Sequence, residues 1–195
     1  MNDFWNERFS RPGYIYGTEP NDFFKQEIQK LTPGKLLLPA EGEGRNAVFA
    51  AGRGWDVTAF DPSDAGISKA KRLAAEKRVA IHYLLADFDS IELPEKSFDV
   101  LALIYAHTYA WEKVYADLIR SLKPGGILII EVFNKSQIKN TSGGPKDPDM
   151  LPTAPLLEKA LAGLSSLKVW EEQIILSEGE NHQGLADVVR CVAQK

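Results

Sequence analysis

Short apolar runs recur along the first two thirds of the chain and are separated by segments of helix-forming composition. The apolar runs predict five strands, at Leu36–Leu38, Trp55–Phe60, Val79–Ala86, Phe98–Tyr105 and Ile127–Phe133. The segments between them predict helices at 46–53, 64–77 and 111–122, with Asp64 as the expected N-cap of the second. Strands that alternate with helices in this way indicate an α/β fold, built on a doubly wound and mostly parallel sheet with helices on both faces.

The pattern changes toward the C-terminus. Residues 134–152 form a long polar loop with several Gly and Pro residues, and a helix is predicted at about 154–164. Two strand-like runs follow, Lys168–Ser177 and Leu185–Ala193, with turn-forming residues 178–181 between them. They predict a C-terminal antiparallel hairpin. The long loop follows the fifth strand, so it is either a lid over a ligand site or a plain connector.

Aromatic residues are dense ahead of the first strand. They are Phe4, Trp5, Phe9, Tyr14 and Tyr16. A helix is predicted after them, beginning near Asn21 and ending at about Leu31 before Thr32-Pro33-Gly34. Two interpretations stay open for the aromatic segment: a helix and loop packed on the core, or a flap that closes over a ligand.

A glycine-rich turn joins the first two strands and indicates nucleotide chemistry. Gly42 and Gly44 flank Glu43, and the predicted helix follows at once. Glycines allow a ligand to approach the backbone closely, and the start of a helix offers unpaired N–H groups. Asp61 ends the second strand 19 residues after Gly42, where its carboxylate can accept hydrogen bonds from two ribose hydroxyls.

Two ligands fit this strand, turn, helix, strand and acid. One is a dinucleotide such as NAD, because Gly42, Gly44 and Ala47 satisfy the dinucleotide pattern. The other is S-adenosylmethionine (SAM). In a doubly wound sheet, ligands bind beyond the carboxyl ends of the strands. Five separate stretches are expected to meet there: 41–44, Asp61, Asp87, 105–107 and 131–134.

Composition and charge narrow the function classes. Apolar residues make up 44% of the chain and charged residues 26%, as in ordinary globular proteins. The net charge of −4 argues against a nucleic-acid partner, because such surfaces are usually basic. The N-terminal residues carry no apolar signal region, and no run is long enough to span a membrane. We therefore expect no membrane contact and a cytoplasmic location. No Cys/His cluster has zinc spacing, so no metal is expected.

The order of the motifs resembles the class I SAM-dependent methyltransferases over essentially the whole chain. A dehydrogenase needs a further domain for its substrate, whereas here only a loop, a helix and a hairpin follow the fifth strand. The matching motifs are Gly42-Glu43-Gly44-Arg45-Asn46, Asp61, Ala86-Asp87-Phe88, Phe98-Asp99-Val100 and Leu122-Lys123-Pro124-Gly125-Gly126. The segments Trp5-x-x-Arg8-Phe9 and Tyr16–Asn21 look like the small bacterial methyltransferases of the tellurite-resistance and thiopurine types.

The resemblance implies a Rossmann-like methyltransferase domain that covers residues 1–195. Residues 1–34 would be an N-terminal helical cap or flap, and residues 35–134 the cofactor-binding core. Residues 135–195 would supply the loop, the helix and the C-terminal hairpin. The cofactor would be SAM, which leaves as S-adenosyl-L-homocysteine, and the acceptor a small molecule. A monomer or a homodimer is expected.

The resemblance also implies a set of cofactor contacts: Asp61 on the ribose, Asp87 with Phe88 at the adenine, and Glu41, Gly42, Gly44, Arg45, Asn46, Tyr16 and Tyr105 around the rest of the cofactor. Arg45 would meet the methionine carboxylate, or else cap the helix or face solvent. Tyr14 or Tyr16 would offer an aromatic face to the sulfonium, or else serve only in packing. His107 follows the fourth strand beside the expected methyl group, where it would be a general base, a substrate contact or a structural histidine. His82 in a strand pattern and His182 in the hairpin turn are expected to be structural or solvated.

The first strand departs from the family pattern. The family usually has an acid near the end of this strand and Gly-Cys or Gly-Ser before the central glycine, whereas this chain has Leu38-Pro39-Ala40-Glu41. Glu41 would supply the carboxylate from a shifted position. The departure keeps open a non-catalytic SAM-binding protein, and an NAD-binding oxidoreductase is the other alternative.

Overall fold

The computed structural model describes residues 2–195, with a central sheet of seven strands in the order β3-β2-β1-β4-β5-β7-β6. The strands are β1 (Lys35–Pro39), β2 (Asp56–Asp61), β3 (His82–Leu85), β4 (Phe98–Ile104), β5 (Leu122–Phe133), β6 (Ser165–Glu178) and β7 (His182–Gln194). β1 to β5 pair in parallel, while β7 pairs antiparallel with both β5 and β6. The predicted α/β class and the antiparallel C-terminal hairpin are confirmed.

Helices cover both faces of this sheet. They are α1 (Asn2–Phe9), α2 (Asp22–Ile28), α3 (Arg45–Ala51), α4 (Asp64–Lys77), α5 (Trp111–Arg120) and α6 (Ala154–Ala160). Two short 3-10 helices, Lys135–Lys139 and Pro148–Met150, lie in the long loop. No helix within residues 2–195 is long and apolar enough to cross a membrane.

Several element ends differ from the sequence expectation for local reasons. Ser63, not Asp64, caps α4, because its hydroxyl accepts from the Gly66 amide at 3.1 Å. The fifth strand begins at Leu122, five residues before the expected start, because Phe98 pairs with Leu122 across a register shift. The third strand is shorter than predicted, since its pairing with β2 extends only over four residues.

The core lies on the two faces of β1 and β4, which both have helices above and below. Leu36, Leu37 and Leu38 are fully buried, and so are Leu101 and Leu103. Parallel strands covered on both sides have such continuous apolar sequences, because both side-chain directions point into packed layers. This core fixes the carboxyl ends of β1, β2, β4 and β5 at one edge of the sheet, where the polar residues gather.

The glycine turn between β1 and α3 packs directly against α4. Gly44 has a φ of +84°, and a Cβ placed on it would lie 2.5 Å from the Cβ of Ala70. Both facts require glycine, because a left-handed backbone disfavours a side chain and the space is already filled.

We predict that Gly44→Ala destabilises the fold by about 2–4 kcal/mol, as left-handed strain and overpacking add. Urea denaturation measures the change. Gly163→Ala is the matched control, because nothing lies within 4 Å of a Cβ at that position. Equal stability of the two variants would contradict the packing described for Gly44.

Candidate active site

A cavity of about 800 Å³ opens at the carboxyl ends of the parallel strands. Its floor is the turn after β1 together with the ends of β2, β4 and β5. The aromatic N-terminal segment and the loop after β5 form its walls. All the site residues of the predicted set except Gly44 line it: Tyr16, Glu41, Gly42, Arg45, Asn46, Asp61, Asp87, Phe88, Tyr105 and His107. The size is within the usual range of small-molecule sites.

Asp61 and the glycine turn form one hydrogen-bonded unit. The Gly42 amide donates to Oδ2 of Asp61 at 2.9 Å, and the Ser63 amide donates to Oδ1 at 2.9 Å. The Tyr83 hydroxyl donates to the Gly42 carbonyl at 2.8 Å from the buried end of β3. Each Asp61 oxygen keeps a second lone pair for a ligand. Burial raises the pKa of Asp61 to about 6, against the opposing effect of the two amides.

Glu41 binds the start of α3 and not the open cavity. Its Oε1 accepts from the amides of Asn46 and Ala47 at 2.7 and 2.8 Å, and its Oε2 accepts from the Asn46 side chain at 3.1 Å. Burial raises the pKa of Glu41 to about 7. These bonds argue against the expected contact with the methionine part. Asn46 has a positioning role too, because its Oδ1 accepts from the Asn21 amide at 2.9 Å.

Arg45 is paired within the protein. Its Nη2 lies 2.8 Å from Oε2 of Glu178 at the end of β6, and its Nη1 donates to the Tyr16 carbonyl at 3.3 Å. The expected contact with a methionine carboxylate would have to compete with this ion pair. Arg8 of α1 also lines the cavity, and among the described residues no carboxylate pairs with it. Arg8 is therefore better placed than Arg45 to pair with an anionic group of a ligand in the cavity.

Glu178 joins Arg45 to a histidine. Nδ1 of His182 lies 3.0 Å from Oε2 of Glu178. Burial alone would raise the pKa of Glu178, but the hydrogen bond from His182 and the charge of Arg45 outweigh it and hold that pKa at about 2. Burial lowers the pKa of His182. The site thus holds an ionised glutamate beside a neutral histidine at pH 7.

Tyr105 and Glu131 lie beneath this group. Glu131 is fully buried on β5, where the Tyr105 hydroxyl and the Asn21 amide nitrogen donate to its Oε1 at 2.8 and 2.6 Å. Nε of Arg190 on β7 donates to Oε2 at 2.6 Å. Burial raises the pKa of Tyr105 well above its usual value. Tyr105 therefore presents its ring, and not an ionisable hydroxyl, to the cavity.

The N-terminal segment packs over the glycine turn and also lines the cavity. The Phe9 ring reaches within 2.9 Å of the position that a Gly42 Cβ would take. Oε2 of Glu43 accepts from the Ile15 amide at 2.7 Å, and Oε1 pairs with Lys69 of α4 at 2.7 Å. The segment is therefore packed on the core and also borders the cavity, while its closure over a ligand stays a prediction.

Tyr16 stands between the N-terminal segment and the hairpin. Its hydroxyl accepts from Nη1 of Arg8 at 2.8 Å, and its ring centroid lies 4.5 Å from that of His182. Burial raises the pKa of Tyr16. Tyr16 lines the cavity, whereas Tyr14 is not among its lining residues. Tyr105 and Phe133 add further aromatic lining, and their rings stack at 4.6 Å.

Asp87 and Phe88 follow β3 at the other end of the cavity. Oδ1 of Asp87 accepts from the amides of Asp89 and Ser90 at 3.2 and 2.9 Å, so the carboxylate shapes its own turn. The Phe88 ring packs edge-on against Phe60 with centroids 5.7 Å apart. Together they form a half-buried wall beside Asp61, in the place expected for the adenine.

His107 has both ring nitrogens bonded to the backbone. Its Nδ1 lies 3.1 Å from the Met150 carbonyl, and its Nε2 accepts from the Phe133 amide at 3.2 Å. Burial lowers its pKa to about 4. A general base needs a free lone pair, so this geometry argues against the base expected at position 107. His107 instead attaches the long loop to the end of β5.

The loop 134–152 lines the cavity, which favours the lid over the plain connector. Gly144, Lys146 and Met150 are among its lining residues. The loop is held by the Gln137 side chain, which donates to Ser142 and Gly143 at 3.0 and 2.9 Å.

Within residues 2–195, no group of His, Cys, Asp and Glu side chains could hold a metal ion.

Sequence reasoning gave no site role to Glu178, His182 or Arg8, and it placed Glu131 at the site only as part of the stretch 131–134. His182 was expected to be structural or solvated, because it follows a polar turn, yet it is 5% exposed and lines the cavity. Only the pairing of β6 with β7 places it opposite Glu178. An acid in the middle of the apolar run Ile127–Phe133 was a usable signal for Glu131, since a buried charge needs partners.

We predict that the cost of His107→Gln depends on pH. The folded state lowers this pKa from 6.5 to about 4, so the stabilising contribution of neutral His107 is complete above pH 6.5. It is lost as the pH falls toward 4, by up to about 1.4 kcal/mol per pH unit. Urea titrations of both proteins give the difference at each pH. Exposed His82→Gln is the control, and a pH-independent cost for His107→Gln would contradict the burial of a neutral ring.

Comparison with known proteins agrees with this geometry. Residues 37–130 match the methyltransferase domain family. The chain is 31% identical over 116 residues to a ubiquinone biosynthesis O-methyltransferase of Rickettsia akari. The aligned region covers 58% of this chain and 45% of that protein. The chain thus spans less than half the length of this relative.

Two solved structures share the fold over the whole chain. A protein from a study of echinomycin biosynthesis superposes with a TM-score of 0.74 at 20% identity, covering 91% of that chain. TehB from Haemophilus influenzae superposes with a TM-score of 0.71 at 13% identity, covering 66% of that chain. Residues 37–130, which hold the glycine turn and Asp61, are therefore similar to a methyltransferase domain, and the whole chain shares the fold of these two structures.

Proposed function

We propose that this protein transfers the methyl group of SAM to a small-molecule acceptor. The observation that carries the proposal is the unit of Asp61 and Gly42 at the floor of the cavity, with free lone pairs on a carboxylate aligned by two backbone amides. Residues 35–134 would bind the cofactor. Residues 1–34 and 135–195 would enclose the acceptor, so that all 195 residues act as one domain.

The described residues fit SAM in three places. Asp61 would accept from the ribose hydroxyls, Phe88 with Asp87 would border the adenine, and Arg8 would meet the methionine carboxylate. When bound, SAM supplies a methyl group on a positively charged sulfur. The faces of Tyr16, Tyr105 and Phe133 are suited to a cation, because aromatic rings carry negative charge on their faces.

A small acceptor is supported by the enclosure of the cavity. The N-terminal segment and the loop 134–152 both border it, so little room is left for a macromolecular substrate. The Rickettsia relative is named for ubiquinone biosynthesis, whose substrates are small molecules. The protein's contribution to the rate would be alignment of acceptor and methyl group, since holding two reactants in line is worth about 7–11 kcal/mol.

We predict that Asp61→Asn weakens SAM binding by roughly 100-fold or more, because hydrogen bonds to a charged group contribute about 1.5–3 kcal/mol each. Calorimetric titration with SAM, S-adenosyl-L-homocysteine and NAD measures the effect. Asp64→Asn is the matched control, because Asp64 lies three residues further along the chain at an exposed position of α4. This variant should bind SAM as the native protein does.

The same titrations separate the alternatives. Binding of NAD without SAM would overturn the methyltransferase proposal. Binding of SAM with no turnover of any acceptor would favour the non-catalytic SAM-binding protein, which the internal pairing of Glu41 and Arg45 keeps plausible.

We also predict that SAM affinity depends on pH through Asp61. Its pKa is raised to about 6, so the carboxylate is ionised at pH 7 and becomes protonated below pH 6. A protonated oxygen loses acceptor capacity, and the affinity should then fall, approaching tenfold per pH unit. Titrations from pH 8 to pH 5 measure this dependence. Constant affinity down to pH 5 would contradict the role of Asp61.

A further inference from the structure

The turn of the C-terminal hairpin holds a histidine and a glutamate in mutual contact. Glu178, the last residue of β6, pairs with His182, the first residue of β7, so the three-residue turn between them sets their distance. Nδ1 of His182 lies 3.0 Å from Oε2 of Glu178. The side chain of His182 is 7% exposed and that of Glu178 14% exposed, so solvent does not compete strongly for this contact.

The partners of Glu178 fix which ring nitrogen carries the proton. Arg45 lies 2.8 Å from its Oε2, and Asn21 donates to its Oε1 at 3.1 Å. A carboxylate held by two donors is ionised and acts only as an acceptor. It therefore accepts a hydrogen bond from Nδ1–H of His182. In a neutral imidazole, Nε2 then carries the lone pair.

The lone pair on Nε2 has no partner among the described residues. Among residues 3–195, Nε2 of His182 has no hydrogen-bond partner, and no buried side-chain nitrogen lacks one, so this atom keeps accessible surface. His182 lines the cavity described above. A Cβ on Gly143 would lie 3.3 Å from Nε2, so the glycine at that position leaves the nitrogen uncovered.

The ring of His182 is held in place by aromatic neighbours. Its centroid lies 4.5 Å from Tyr16, 4.7 Å from Tyr105 and 5.3 Å from Phe133. These are the rings proposed to face the sulfonium. With the sulfonium at these rings, a nitrogen in this position would be close to an acceptor that approaches the methyl group.

The buried acids and the other histidine of the cavity are already committed. Glu41 accepts three hydrogen bonds at the start of α3, and Glu43 holds Ile15 and Lys69. Asp61 accepts from two amides and is proposed to bind ribose. Both nitrogens of His107 are bonded to the backbone.

We propose that His182 is the general base of the reaction and that the acceptor is a neutral aromatic hydroxyl compound. The hydroxyl oxygen bonds to the methyl carbon while the bond from that carbon to sulfur breaks and its electron pair stays on sulfur. The hydroxyl proton passes to Nε2, and His182 later returns it to water. This assignment rests on the proposed methyl transfer. The phenolic class follows from the aromatic lining and from the need of a hydroxyl, unlike a thiolate, to lose a proton.

Charged groups from several elements face His182 and decide its protonation. Glu178 on β6 and Glu131 on β5 favour the imidazolium, whereas Arg45 on α3 disfavours it, and His107 faces it across Phe133. In the free protein the ring is neutral at pH 7, which a base requires. An imidazolium formed during turnover would be stabilised by Glu178.

The first test needs no acceptor. Nitrogen-15 NMR of the native protein with bound S-adenosyl-L-homocysteine should show His182 as the Nδ1–H tautomer with an unprotonated Nε2. In Glu178→Gln this tautomer preference should weaken. A proton on Nε2 in the native protein at pH 7 would overturn the proposal, whether or not any acceptor is known.

The second test compares two acceptors with matched variants at about pH 7.5. Catechol carries its proton at this pH, whereas 4-nitrobenzenethiol is already ionised. His182→Gln should methylate catechol roughly 100-fold or more slowly than the native protein, as expected for loss of a general base. It should methylate the thiol within about fivefold of the native rate, and SAM affinity should stay within about threefold. His82→Gln should match the native protein throughout.

The outcomes separate this inference from the proposed function. Absence of SAM binding by the native protein would overturn the methyltransferase itself. Normal SAM binding with equal catechol rates in His182→Gln and the native protein would overturn the base alone. A rate that falls equally for both acceptors would show that His182 only shapes the cavity. If neither acceptor is methylated, the NMR measurement of the proton on Nε2 decides whether His182 can act as the base.

Discussion

Two buried carboxylates joined by one amide link parts of this protein that are far apart in the sequence. The Asn21 side chain donates to both Glu131 and Glu178, which lie 110 and 157 residues further along the chain. Arg190 and Arg45 balance the two charges. Buried charges are tolerated only when they are paired and hydrogen-bonded, and removal of one partner commonly costs 3–5 kcal/mol. The network therefore makes the N-terminal segment, the sheet and the hairpin depend on one another.

Strain is concentrated where these parts meet the cavity. Ala40 and Tyr105, which follow β1 and β4, have φ values of +50° and +53°. Non-glycine residues rarely adopt this conformation, and they keep it only when the surrounding structure enforces it. At Tyr105 the enforcing contact is the bond from its hydroxyl to Glu131. At Ala40 the turn continues into Gly42, whose carbonyl is held by Tyr83. The departure from the family's glycine at position 40 thus carries backbone strain without removing the turn.

The sequence was sufficient for features that depend on neighbours along the chain. The strands follow from the apolar runs. The glycine turn and the placement of Asp61 follow from the spacing of 19 residues between Gly42 and Asp61. It was insufficient where the partner is distant. Nothing near Arg45 in sequence indicates Glu178, and nothing near His107 indicates that Met150 and Phe133 occupy both of its nitrogens. His182 was misjudged because a histidine after a polar turn usually faces solvent, whereas strand pairing turns this one inward.

The arrangement of charges around His182 also fits the direction in which charge would move during the proposed reaction. Before transfer the positive charge would be on the sulfonium, which the aromatic faces of the cavity would attract. After transfer the imidazolium of His182 would carry the charge, with its Nδ1 3.0 Å from Oε2 of Glu178. Arg45 already fixes that carboxylate, so it need not reorganise as the charge arrives. Fixed groups aimed at a developing charge are the most effective form of electrostatic catalysis. The ion pair with Glu178 would keep Arg45 from binding the cofactor carboxylate. In the proposed reaction Arg45 would instead hold the carboxylate that stabilises protonated His182.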